Sequence, residues 1–234
     1  IKGNYIGLDR TGTSFITNST QDRGIYVTFS TGGGNVIGGS GVNEGNVISG
    51  NKDCCLGGNG VYFDNTANAN SVMGNIIGPQ ANGIDYVASN LQFTGIEINN
   101  SPNQTIGGNT PGARNIISAN ETHGVYVYGV SSTGNTVKGN YIGPGAALSN
   151  ISGSIQNYGI YIWNGAANNT IGGAAAGDEN QIAFNTVSGV YLIDAATTGN
   201  KITRNPIYTN VGKPITLNYG ASQGNNGKAA PVIT

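Results

Sequence analysis

The sequence predicts an all-β solenoid, a right-handed parallel β-helix of about six to seven coils with three short strands per coil. Three observations carry this. The stretch Gly134–Pro144, GNTVKGNYIGP, has counterparts at Asn68–Pro79 and Gly199–Asn210, so that Asn70, Asn135 and Asn200 recur at an interval of 65 residues, as do Asn75, Asn140 and Asn205. Strand-like β-branched runs alternate with Gly and Asn turns, and no segment keeps a helical period over three turns. The 234 residues include 40 Gly and only 9% charged side chains, a composition suited to many tight corners. Self-similarity at a fixed period signals stacked repeats and outranks local secondary-structure preference.

The first strand of each coil opens with Gly: GIYVTF at Gly24, GVYFDN at Gly60, GIEINN at Gly95, GVYVYG at Gly124, GIYIWN at Gly159 and GVYLID at Gly189. Alternation turns Ile25/Val27/Phe29, Val61/Phe63, Ile96/Ile98, Val125/Val127, Ile160/Ile162 and Val190/Leu192 inward, where stacking makes them continuous apolar columns. A second short strand follows, such as NVIGG at Asn35 or NTVKGN at Asn135, and then a third, such as NVISGN at Asn46 or NYIGP at Asn140. Asn46, Asn75, Asn115, Asn140, Asn180 and Asn205 fall at one corner and are expected to form an amide ladder, with Asn tolerating left-handed backbone there. An antiparallel sandwich or a propeller fits less well, since propeller blades repeat at about 40–50 residues with four strands each.

The alternation GNYIG…GIYV…NVIGG…GNVISGN resembles the β-helix repeats of secreted bacterial proteins with a pectin-lyase-like fold, over essentially the whole chain. That resemblance implies the β-helix fold and an extracellular or cell-surface setting; the continuous repeat argues for one domain over residues 1–234, and the start in mid-repeat reads as a mature protein or a fragment of a larger one. The ending GNNGKAAPVIT looks like the strand exit with which such modules finish. Function is implied only broadly, because repeats of this kind occur in lyases, hydrolases, adhesins and surface proteins alike. No active-site motif of the pectinolytic members matches, so no catalytic residue is carried over.

Net charge of −1 gives no electrostatic reason to expect nucleic acid, and no run approaches ~18 apolar residues, so no membrane span is expected. Long connections at Gly7–Arg23, Gly78–Thr94 and Gly143–Tyr158 alternate with short turns and should emerge at one corner, where insertions in a repeat protein can build a binding surface or simply drift. The turn Asn51–Gly60 is longer than its counterparts and holds the only cysteines, Cys54 and Cys55, which are free thiols, a vicinal disulfide or an intermolecular link. Metal binding is not indicated: the only His is His123 and there is no CxxC. No cofactor is expected, and Ca²⁺ lacks an acidic cluster.

The outward positions of the Gly-led strands carry the functional signal. One column reads Tyr26, Tyr62, Glu97, Tyr126, Tyr161, Tyr191, and its neighbour reads Thr28, Asp64, Asn99, Tyr128, Trp163, Ile193. Tyr62, Tyr126, Tyr128, Tyr161, Trp163 and Tyr191 are the candidate ligand-binding residues, because aromatic faces stack on sugar rings while polar neighbours bond the ring edges. Cross-strand stacking that only stabilises the sheet is the competing reading. Asp64 and Glu97, on adjacent coils and within roughly 5–8 Å, are the candidate catalytic pair for glycoside hydrolysis. A lyase would draw on Lys138 or Lys201, and His123, beside Glu121, has no placed nucleophile. The expected partner is a polysaccharide or cell-wall glycan, bound by a non-catalytic solenoid. A polysaccharide-degrading enzyme and a structural block of a filament or sheath are the alternatives, the last through end-to-end or homo-oligomeric association.

Overall fold

The structure, a computed structural model, describes residues 1–16, 21–52, 57–151, 153 and 155–218. Cys54, Cys55 and the GNNGKAAPVIT ending lie outside the described residues. The described chain winds into a parallel β-helix of about seven coils, with sheets of seven, seven and six strands. The front sheet stacks the six-residue strands Arg23–Thr28, Asn59–Asp64, Thr94–Asn99, His123–Tyr128, Tyr158–Trp163, Ser188–Ile193 and Lys213–Asn218. The back sheet runs from Val36–Gly38 to Lys201–Thr203, and the side sheet from Tyr5–Ile6 to Ile207–Tyr208. Every pairing between these strands is parallel, so each strand bonds to its counterpart one coil away.

Strict register turns sequence repetition into apolar columns. Ile48, Ile77, Ile117, Ile142 and Ile182 meet on the side sheet, while Ile37, Val72, Ile106, Val137 and Ile171 meet on the back. The front sheet adds the expected pairs from Ile25 onward, and these columns join in one buried cluster. Phe29 departs from the expected inward set and is 73% exposed. Its φ of +45° places it in the turn after the strand, where alternation no longer applies.

Amide ladders run inside all three corners. Asn46, Asn75, Asn115, Asn140, Asn180 and Asn205 donate side chain to side chain at 2.9–3.0 Å, as expected. A second ladder links Asn35, Asn70, Gln104, Asn135, Asn169 and Asn200, and a third links Asn51, Gln92, Asn120, Gln156, Asn185 and Asn210. Most ladder side chains are buried and paired, as buried amides should be, while Asn51 Oδ1 and Asn135 Nδ2 are buried without a hydrogen-bond partner and Asn35, Asn205 and Asn210 are partly or fully exposed. They are not the left-handed residues, however: positive φ falls on other asparagines such as Asn65, Asn100 and Asn164, just past the front strands.

The long connections all join the side sheet to the front sheet, and their described parts touch one another. Ala81 N–H donates to Gly12 O at 2.9 Å, Ala146 N–H to Gly83 O at 2.8 Å, and Tyr86 O–H to Gly153 O at 2.7 Å. They therefore lie on one side of the body, bridging over the short-turn coils. Leu91, Ala119, Ile151 and Tyr86 form a small second cluster beneath them.

Candidate functional site

The outer face of the front sheet is organised by an irregularity at its strand starts. Residues before and after each Gly pair in register, as Arg23 with Asn59 and Ile25 with Val61, but the alternation slips by one across the Gly. An added Cβ on Gly95 would lie 2.8 Å from Ile117 Cγ2 and 2.9 Å from Asn120 Nδ2, so this position faces inward against the side column and the corner ladder. Ile96 also faces inward, with no exposure. Two consecutive inward residues return the one before Gly to the outer face, beside the residue three further on. A third outer column results, reading Arg23, Asn59, Thr94, His123, Tyr158, Ser188 and Lys213.

Two of the expected columns are placed as the alternation indicated, and the third widens them. Tyr126 pairs with Tyr161 and Glu97, Tyr161 with Tyr191, and Tyr128 with Trp163 and Asn99. The rings touch along and across coils. Tyr126 stacks on Tyr128 at 4.5 Å and on His123 at 4.6 Å, and Tyr161 stacks on Tyr191 at 5.0 Å. Tyr158 meets Tyr161 and Tyr191 edge-on at 5.0 Å. Tyr26 and Tyr62 stack separately at 5.3 Å, with the Arg23 guanidinium 4.8 and 5.3 Å from their centroids. Tyr62 is buried among these neighbours, while Tyr26 and Trp163 are 44% and 42% exposed. Arg23, His123 and Tyr158 were missed by strict alternation; their signal was the Gly that follows each one.

Asp64 and Glu97 sit between the two aromatic groups. Glu97 lies opposite Tyr62 and Asp64 opposite Asn99, so the two acids are diagonal neighbours, about 7–8 Å apart along the backbone. Glu97 Oε1 accepts from Tyr128 O–H at 2.8 Å, and Asn59 supplies a further side-chain hydrogen bond. Asp64 accepts from Tyr26 O–H at 2.8 Å, Asn99 Nδ2 at 2.9 Å and Asn65 Nδ2 at 2.7 Å. The Tyr62 and Tyr128 hydroxyls, 3.3 Å apart, join the two halves. Burial pushes the Glu97 carboxyl above the usual range, against the Tyr128 hydrogen bond and the charge of Arg23, which favour ionisation. Burial likewise raises Tyr126 and Tyr128, with Glu97 adding to both. Tyr161 is pushed up to about 12 by burial, then by Tyr191, Tyr158 and Asp194. His123, sandwiched between Tyr126 and Tyr158, is pushed down to about 4 by burial and is a neutral ring at neutral pH.

Elsewhere, Lys138 pairs with Asp178 at 3.2 Å on the back of the solenoid, and Lys201 shares that sheet. A hollow of about 350 Å³ beside Tyr26 is lined by Val27 and Ile37 of the first coil, so it is the end of the apolar columns and not a recess in the front face. Among the described residues no group of three or more His, Cys, Asp or Glu is placed to hold a metal ion, and no helix is long and apolar enough to cross a membrane. No family model matches the chain, and neither does any curated protein or any solved structure.

Proposed function

We propose that the front face is a saccharide-contact surface, and that the protein is an extracellular or cell-surface β-helix that binds or displays toward a polysaccharide. The observation that carries this is the outer aromatic array with two exposed rings, Tyr26 and Trp163, and with hydroxyls and acids between them. The front strands of Tyr26 and Trp163 are four coils apart, about 19 Å at the β-sheet spacing. An extended glycan along the axis would stack on these two exposed rings and hydrogen-bond to phenols and carboxyl groups between them. Trp163→Ala tests this by affinity electrophoresis against a panel of plant, algal and bacterial polysaccharides. Losing one aromatic contact costs on the order of 1 kcal/mol, about fivefold in retention. The melting temperature should hold, because the ring is not part of the buried core. Unchanged retention with a lowered melting temperature would hand the array to a purely structural role.

The contrast between the two acids supports a second reading, glycoside hydrolysis. Glu97 is biased toward its protonated form by burial, whereas Asp64 is more exposed and accepts three hydrogen bonds, from Tyr26, Asn65 and Asn99. In that case Glu97 is the acid and Asp64 the second carboxyl group of the pair. Release of reducing sugar that Asp64→Asn and Glu97→Gln both abolish would establish it.

A further inference from the structure

We infer that the sugar taken by this face is uncharged, a neutral hexose or pentose glycan held over the strands His123–Tyr128, Tyr158–Trp163 and Ser188–Ile193; the inference rests on the saccharide reading above. These three successive strands, HGVYVY, YGIYIW and SGVYLI, contain no Asp, Glu, Lys or Arg. Besides the phenols their one titratable group is His123, a neutral ring at neutral pH between Tyr126 and Tyr158. The charged side chains of the front sheet stand on the strands to either side. Arg23 pairs with Asp22 at 2.7 Å, and Asp64 accepts from Tyr26, Asn65 and Asn99. Glu97 is bonded by the Tyr128 hydroxyl and biased by burial toward its neutral form. At the other side Lys213 follows Ser188 one coil on, and Asp194, past the end of the third strand, accepts from the backbone N–H groups of Asn164, Ala196 and Thr197.

What the three strands offer a ligand is hydroxyl edges and one open ring face. Tyr126 is covered by His123 and Tyr128, and Tyr161 stacks on Tyr191, so these ring faces are used within the protein. Trp163 makes no ring contact among the described residues and is 42% exposed, which leaves its face for the apolar side of a pyranose ring. The hydroxyls of Tyr126, Tyr158 and Tyr161 form no hydrogen bond among the described residues and reach solvent at the ring edges. Each can both donate and accept, which matches a sugar hydroxyl. The three strands span about 10 Å along the axis, so these edges and the Trp163 face address one short stretch of glycan. A neutral sugar hydroxyl placed there exchanges a bond to water for a bond to a phenol. A carboxylate or an ammonium in the same place would give up part of its hydration and meet no opposite charge. The discrimination therefore comes from the penalty on charged sugars as much as from the contacts with neutral ones.

Calorimetric titration at low and at high salt tests this with oligosaccharides of equal length. Gluco-, manno- and xylo-oligosaccharides are the neutral probes, oligogalacturonate is the anionic one, and glucosamine oligomers with free amines are the cationic one. The best neutral probe is expected to bind about tenfold more tightly than either charged probe, with an affinity that salt leaves unchanged. Tyr158→Phe and Tyr161→Phe keep the rings and remove one hydroxyl each. Each should weaken the neutral probe about fivefold, with circular dichroism melts confirming that the variants fold. A charged probe binding as tightly as the best neutral one, or a neutral affinity that falls steeply with salt, overturns the choice of an uncharged sugar while leaving the saccharide reading in place. Unchanged affinity in both variants overturns the placement over these strands. No binding by any of the five probes removes the saccharide reading itself.

Discussion

His123 offers a quantitative test of the front face that needs no ligand. Its ring stacks between Tyr126 at 4.6 Å and Tyr158 at 5.6 Å, with Nδ1 3.0 Å from Thr122 Oγ1, and burial lowers its pKa from 6.5 to about 4. The folded protein thus holds the neutral ring while the unfolded chain takes up a proton. With more protons bound in the unfolded state, stability is full above the unfolded value of 6.5 and falls as pH drops toward the folded value of about 4. At 1.36 kcal/mol per unit, the contribution is roughly 3 kcal/mol in total, of which about 2 kcal/mol is gone near pH 5. The perturbation is His123→Phe, which keeps an aromatic in the stack but cannot titrate. Urea midpoints followed by tyrosine and tryptophan fluorescence, measured from neutral pH down to pH 4, give the wild-type minus variant difference. It should fall with pH by about that amount, and the subtraction removes groups common to both proteins. A flat difference, or a His123 ring resonance titrating near 6.5, would refute the burial argument.

Two further outcomes follow from the same structure. Glu97 carries the opposite sign: its folded pKa is raised, so its contribution is greatest below the ordinary value of 4.5 and is lost as pH rises through the folded value. Glu97→Gln should therefore gain stability relative to wild type as pH rises, read from urea midpoints across the same series, and a constant difference would refute it. Asn140→Leu removes the acceptor for the backbone and side-chain N–H groups of Asn115 and one donor to Asn180, leaving buried polar groups short of a partner at about 1–3 kcal/mol each. It should lower stability by about 3 kcal/mol in urea unfolding, and a loss below about 1 kcal/mol would show that the ladder is not cooperative.

The parallel coils, the inward columns and one amide ladder were legible because each is a repeat that register propagates from coil to coil. The two other ladders were hidden because they mix Asn with Gln. In the third, Asn51, Asn120 and Asn185 reach the corner from the strand side, while Gln92 and Gln156 reach it from the far end of a long connection with a longer side chain. The outer columns from Tyr26 and Thr28 were legible by alternation, but the column of Arg23, His123 and Tyr158 was not. There the crowding against Ile117 and the ladder, visible only in three dimensions, makes Gly95 and its counterparts face inward and breaks the period of two.

The alternation of long and short connections also has a physical cause, and it can be tested. Where a long connection leaves the side sheet, the chain places Gly7, Gly78 or Gly143, with φ of +84°, +103° and +99°. Where a short turn follows, the equivalent residue is Ser49, Ser118, Ala183 or Tyr208. The carbonyl of the short-turn residue one coil on lies against each of these glycines, and an added Cβ on Gly143 would sit 1.8 Å from Ala183 O. Only Gly admits both the left-handed backbone and that approach. Gly143→Ala should then cost the strain of a positive φ plus a backbone displacement, together about 3 kcal/mol. Gly34→Ala is the matched control: its φ is +83°, but an added Cβ meets nothing within 4 Å, so strain alone applies, about 1 kcal/mol. Urea unfolding of the two variants separates the terms. Equal losses would mean that the side corner yields freely, and that the glycine is there for its backbone angle and not for the packing of one coil on the next.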